Sequence, residues 1–213
     1  MAVTTLANIR DRVEADLMDS GNATWSTAEL DAHIRRALIR YSQVNPQTIA
    51  ADLSSSADTR EYSLATLTGL KWIYDVWFPY NDADPEYPPN RPQWDTPYDA
   101  YLYLQVVDAP SGAATEKIRV FYTKFHELKD LDGATTTSLD PEGEQLIVIG
   151  AAAYAAEQLA QARLAAVNAS EHAPLRWMQW ASDRLQRFED ALAVIQARAN
   201  QALDPRVNWS ADL

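Results

Sequence analysis

The chain has 213 residues, 47% of them hydrophobic, no cysteine and a formal net charge of −12. Without cysteine there are no disulfides and no thiolate metal sites, and the acidic excess argues against ordinary nucleic-acid binding, which needs a basic footprint to neutralise phosphate. The length suffices for one sizeable core and a small satellite sheet. The most apolar stretch, Leu146 to Ala156, is too short to span a bilayer, and no signal-peptide pattern precedes it, so a soluble chain folded in the cytosol is expected.

Two helices open the chain. The first is predicted from Thr5 to Asp19, with Leu6, Ile9, Val13 and Leu17 on one face, and it breaks at Ser20-Gly21-Asn22. A capping box then starts the second: Ser26 accepts from the Glu29 N–H while the Glu29 side chain reaches back to Ser26. Leu30, Ile34, Ala37, Leu38 and Tyr41 follow at helical spacing, and Pro46 stops the helix near Val44. Two such helices cannot bury a core alone.

From Thr48 the period changes to two. Thr48 to Leu53, Arg60 to Leu64, Leu70 to Phe78, Ala100 to Val107 and Lys117 to Phe125 read as strands. Gly69, the Pro79 to Pro97 stretch and Pro110-Ser111-Gly112 separate them. Tyr101 to Val106 is expected to pair with Ile118 to Tyr122 through a hairpin at Ala109 to Thr115. Asp82 to Pro97 holds five prolines and is expected to be an extended, aromatic-decorated loop or arm. Asp130 to Ser138 reads as a linker back to helix.

Asp140-Pro141 is an N-cap with a first-turn proline, and Glu142 and Glu144 suit the positive helix end. An alanine-dominated helix follows, whose methyl surface lets neighbours approach on several sides. Ser170 to Ala173 is taken as a connector closed by Pro174. The last helix carries Met178, Leu185, Leu192 and Ala199 at one heptad position and Ala181, Phe188, Ile195 and Ala202 at the other. An antiparallel hairpin inside one subunit is the favoured arrangement of this seam, with an intermolecular coiled coil as the alternative. The expected fold is therefore mainly α with a β insertion (α+β). Residues 1–46 and 139–203 form a bundle of about four helices, 47–138 an antiparallel β insertion, and 204–213 a tail.

No catalytic constellation emerges. His33, expected on a helix surface, His126 at a strand end and His172 in a connector are far apart in sequence and match no metal-ligand spacing. There is no GxSxG, and six glycines leave little material for a phosphate loop. Carboxylate pairs such as Asp82/Asp84/Glu86 and Asp95/Asp99 are what chance supplies, because residues 51–140 hold 15 of the 30 acidic side chains against 7 basic ones. No catalytic, cofactor-binding or metal-binding residue is assigned, and no enzyme is expected. Nine Trp and Tyr residues fall between Trp72 and Tyr103. Trp72, Tyr74 and alternating partners are expected to form the sheet's core. Trp77, Tyr80, Tyr87, Trp94 and Tyr98 are the candidates for contact with a partner, either a protein or a sugar.

Trp25-Ser26-Thr27-Ala28-Glu29-Leu30 leading into Ile34 to Ser42, and Thr135 to Glu142 leading into Leu146 to Tyr154, resemble the head-to-tail adaptor (connector, neck) proteins of tailed bacteriophages and related particles. The resemblance covers the helical ends, about half of the chain, and rests on hydrophobic patterns; the large aromatic insertion departs from it. It implies a structural protein of the virion neck, folded in the host cytoplasm. Such a subunit, possibly monomeric alone, assembles as a dodecameric ring under the portal protein and meets stopper or tail proteins. DNA passes its channel without sequence-specific binding, and no membrane or cofactor is involved. Arg206, Val207, Trp209 and Leu213 then become a candidate tail for docking to the portal or a neighbouring subunit. Alternatives are another neck or tail-completion protein, or a carbohydrate-binding module or hydrolase centred on the Trp/Tyr segment.

Overall fold

A computed structural model describes residues 3–21, 23–98, 100–164 and 172–202. Four helices and six strands form two compact units, one helical and made from both ends of the chain, the other a β unit of Gln47–Phe125. This is the α+β architecture, a helical bundle with a β insertion, that the periodicities dictate.

In the helical unit, α1 (Leu6–Asp16) begins with a capping box between Thr5 and Asn8, and Leu17 caps its end. Met18 follows in the left-handed region at φ 57°. Asp19 then gathers the N–H groups of Ala23, Thr24 and Trp25, which turns the chain into the next helix. Helix α2 (Thr27–Val44) starts at the Ser26/Glu29 capping box read from the sequence, with Ser26 N–H donating to Glu29 at 2.8 Å. Helix α3 (Pro141–Leu164) is capped by the Asp140 carboxylate, which accepts from Gly143 N–H at 2.8 Å. Helix α4 (His172–Ala202) begins earlier than expected. Pro174 lies in its first turn, where a missing N–H breaks no intrahelical bond.

Helix α3 is the centre. It packs against α1, α2 and α4, and Ala151 to Ala156 are all buried. The α3–α4 contact is the intramolecular hairpin, with a close approach at Gly150, where a Cβ would lie 3.0–3.1 Å from the ring of Phe188. Phe188 and Leu192 are fully buried, Leu185 and Ile195 partly, while Met178 is exposed. Residues 126–138 cluster with the helices: Leu128 and Leu131 enter their core, and Leu6 N–H donates to the Lys129 carbonyl.

The β unit is a sandwich of two antiparallel three-stranded sheets. One has the order β1 (Gln47–Ser54), β6 (Lys117–Lys124), β3 (Trp72–Tyr80), and the other β2 (Glu61–Ser63), β5 (Tyr101–Gln105), β4 (Gln93–Tyr98). The expected β5–β6 hairpin does not exist, because these strands lie in opposite sheets. Each turns its apolar set inward, Leu102 and Leu104 from β5 and Ile118, Val120 and Tyr122 from β6, so the two meet face to face across one core. Between them Glu116 accepts from the N–H groups of Ser111 and Gly112, closing a loop too wide for a tight turn. At Gly112, φ is 76° and a Cβ would fall 2.6 Å from Ala57 N.

Two other expectations are corrected. Gln93 to Tyr98, read as part of a loop, is a strand on β5, and Pro97 is tolerated because β4 is an edge strand with a register shift between Asp95 and Tyr98. Trp72 and Tyr74 point outward, 67% and 45% exposed, while Ile73, Val76 and Phe78 face inward. A register shift between Ile73 and Asp75 resets the alternation along β3.

Candidate interaction surfaces

Several titratable groups are engaged in folding the chain. His33 is buried in α2 rather than at the helix surface, and burial pushes its imidazole pKa down against the pull of Gln158. His126 is half-buried beside the Tyr41 ring, with Nδ1 3.0 Å from the Ser138 hydroxyl; burial lowers its pKa too, against the Ser138 and Asn45 backbones. The side chain of His172 lies outside the described residues. Burial alone would raise the Asp19 pKa, yet the N–H groups of Trp25, Thr24 and Ala23 outweigh it and hold the carboxyl below its usual range. Glu116 follows the same pattern through Ser111 and Gly112. Among the described residues no group of three or more His, Cys, Asp or Glu side chains is placed to hold a metal ion.

What the chain leaves unspent is aromatic surface on the sandwich. On the outer face of the β1–β6–β3 sheet, Trp77 contacts Phe121 at 4.6 Å between ring centroids, Tyr80 at 6.2 Å and Tyr87 edge-on at 6.2 Å. Tyr74 joins the cluster through Phe121. The network is largely satisfied within itself. The Trp77 indole donates to Asp75 at 2.8 Å, and the Arg119 guanidinium lies 3.7 Å over Tyr80 while pairing with Asp52. Tyr80 is buried, whereas Tyr87 is 75% exposed at the rim.

Of the five aromatics singled out by sequence, Trp77, Tyr80 and Tyr87 thus share one cluster. Trp94 lies apart, on β4, and the side chain of Tyr98 falls outside the described residues. Trp94 lines an open cavity of about 510 Å³ with Trp72 across from it. Leu64, Leu70 and Ile73 supply its apolar lining, and Lys71 and Thr96 its polar groups. The outer face of the other sheet carries Tyr101 and Tyr103, with Glu61 and Asp95 directly across the strands from Tyr103. Sequence reasoning missed Trp72, Lys71, Tyr101 and Tyr103 as surface residues. The strict alternation of β6 was the signal that orients its neighbours.

In the helical unit, Met18 is 95% exposed, and with Trp177 and Trp180 it lines a shallow cavity of about 290 Å³. Arg184 covers Trp180 and pairs with Asp16 at 2.6 Å. The candidate tail residues Arg206, Val207, Trp209 and Leu213 lie outside the described residues.

These features define a class by architecture: a helical bundle with an inserted sandwich that presents aromatic faces. No family model matches the chain, and no curated protein matches it. Among solved structures, it is similar at TM-score 0.30 and 15% identity to a chain of the virion of a native gene transfer agent (GTA) particle, over 88% of this chain and 92% of that one. A chain in the neck of an empty GTA particle computed with C6 symmetry gives TM-score 0.30 and 13% identity, covering 82% and 86%. One in the neck of a native GTA particle computed with C12 symmetry gives 0.31 and 14%, covering 83% and 93%. Likeness at that level fixes neither fold nor role.

Proposed function

We propose that the chain is a structural head-to-tail adaptor of a tailed phage or phage-like particle. In this reading it forms a ring under the portal, extends the DNA channel and receives the stopper or tail. The observation that carries the reading is the split helical unit: both sequence patterns that resemble the adaptor family fall within one bundle, interrupted by a self-contained β-sandwich. An insertion that begins and ends inside a bundle suits a decoration of a scaffold better than an independent enzyme module. The chains of low structural likeness come from particles of the same kind, but the reading does not rest on them.

Ring formation needs two lateral surfaces that are heterologous and close by rotation. A channel for DNA favours acidic walls, which keep a polyanion mobile, and the net charge of −12 supplies them. The decisive experiment incubates the purified full chain with portal particles and images the product. Rings seated on the portal support the reading, and a chain that leaves the portal bare at saturating concentration refutes it. Deleting residues 204–213 is expected to abolish docking. A lumen lined mainly by arginine would remove the acidic-channel part of the proposal.

A further inference from the structure

The cavity between Trp72 and Trp94 opens at one edge of the sandwich, where β3 and β4 are the outermost strands of their sheets. Its two indoles are unlike those of Trp25 and Trp77, whose N–H groups donate to the Ala155 carbonyl and the Asp75 carboxylate. Among the described residues neither Trp72 nor Trp94 has a hydrogen-bond acceptor or a ring partner within the chain. Trp72 is also 67% exposed, a large apolar area to leave in water. The groove therefore offers two flat apolar walls, two free N–H donors and an aliphatic lining. It contains no carboxylate or carboxamide side chain of the kind that reads sugar hydroxyls. Lys71 stands at its rim over the Phe125 ring at 4.5 Å, with no carboxylate bonded to it among the described residues.

A ligand that fits this chemistry has a CH-rich ring for the indoles, carbonyl acceptors without competing donors, and negative charge for Lys71. Proline between acidic residues meets all three requirements. The chain carries such a segment in Asp84-Pro85-Glu86, exposed at the tip of the loop that joins β3 to β4. The base of that loop is fixed, because Asp82 pairs with Lys117 at 2.8 Å, Phe78 N–H donates to the Asn90 carbonyl and Arg91 pairs with Asp75. The tip follows the end of β3, while the groove lies at its beginning. The nine residues of β3 span eight steps, roughly 26 Å at about 3.3 Å per step. The tip cannot fold back into its own groove.

We propose that the Asp84-Pro85-Glu86 tip of one copy docks between Trp72 and Trp94 of the next. Such a contact is heterologous: each copy uses its tip on one neighbour and its groove on the other, which generates a ring or an open filament. Its use as a lateral contact under a portal rests on the adaptor reading; the contact itself does not.

The absence of cysteine makes the test clean. Full-length Ala83→Cys and Thr96→Cys chains, which keep the Asp84-Pro85-Glu86 segment intact, are mixed in equal amounts and oxidised, and disulfide products are separated without reductant and identified by mass spectrometry. The mixed disulfide is expected to make up nearly all of the disulfide product, against the half that random pairing of equal amounts gives. Trp72→Ala or Lys71→Glu in the Thr96→Cys chain is expected to lower it, and Asp84→Lys with Glu86→Lys in the Ala83→Cys chain to recover the Lys71→Glu loss. A statistical product mixture, as a groove for a glycan or another protein's segment would leave, overturns the proposal, and so does a yield unmoved by Trp72→Ala. The same pair is then assembled on portal. Portal-seated rings without the mixed disulfide overturn the contact and leave the adaptor reading standing. A mixed disulfide in solution with a bare portal does the reverse.

Discussion

The two units use their large side chains in opposite directions. In the helical unit a close approach is made by the smallest residues: Gly150 lets α4 close on α3, Ala151 to Ala156 are buried, and Phe188 packs against Gly150. Its cations are committed between helices, with Arg12 to Glu144 at 3.2 Å, Arg40 to Glu189 at 2.6 Å and Arg10 to Asp31 at 2.8 Å. Each such surface pair adds at most about 1 kcal/mol, so they orient the helices more than they hold them. In the sandwich Leu, Ile and Val side chains fill the core with Tyr62, Phe78 and Tyr122, and Trp72, Tyr74, Tyr87, Tyr101 and Tyr103 are exposed. Apolar surface left facing water gains from being covered by a partner, and the proposed contact rests on that surface of the insertion.

The sharpest way to break that comparison is a matched pair of core truncations. Phe188→Ala should cost about 3–5 kcal/mol in the helical unit and Leu104→Ala about 2–5 kcal/mol in the sandwich. Urea unfolding is followed by hydrogen–deuterium exchange, read first on peptides of the helical unit and second on peptides of the sandwich. Phe188→Ala is expected to shift the first transition more than the second, and Leu104→Ala the reverse. Equal shifts of both probes by either variant would mean that the units unfold as one, and the contrast would fail. Gly150→Val comes next. Its added methyls meet a fully buried ring, and overpacking of this kind costs about 1–3 kcal/mol, well above the few tenths that replacing glycine in a helix returns. A Tm equal to or above that of the parent chain would show that Phe188 has room to move.

A smaller effect separates the units by pH. All three histidines lie outside Gln47–Phe125. His33 and His126 are held below their ordinary 6.5, each mainly by burial, with Arg36 adding to the effect at His33 while Glu29 and Glu157 oppose it. The unfolded chain binds these protons near its ordinary value and the folded chain resists them. Stability is therefore full above that value and falls as pH drops below it. The helical transition is expected to weaken from about pH 7.5 to 5.5 while the sandwich transition stays level, and His126→Gln should flatten part of the slope. A slope confined to the sandwich peptides would contradict the assignment.

The helices were legible in the sequence because their signals are local. The Ser26/Glu29 box, the Asp140-Pro141 start and the Phe188 seam each fit within a few residues of one another. Strand partners are not local. β5 and β6 both alternate cleanly, and alternation identifies a buried face without saying whether the neighbour is beside it in one sheet or opposite it in another. The register shift in β3 reversed the reading of Trp72 and Tyr74, and proline content hid β4, since Pro97 excludes a central strand but permits an edge one. The candidate site was legible as a composition, a dense aromatic stretch. Its division into a satisfied cluster around Trp77 and an open groove at Trp94 follows from pairing between distant segments.

The smallest expected effect tests the contrast most directly. Trp72→Ala removes one of the largest side chains in the sandwich, yet at 67% exposure, with its indole N–H unbonded, it should change stability by no more than about 0.5 kcal/mol, as surface substitutions usually do. Val76, on the same strand but fully buried, is the control, and Val76→Ala should cost about 2 kcal/mol or more. A folded Trp72→Ala chain of parental Tm and reduced capacity for contact would separate the two uses of aromatic residues on a single strand. A loss of several degrees would instead make Trp72 part of the sandwich's own core, and the argument that its exposed surface waits for a partner would fall with it.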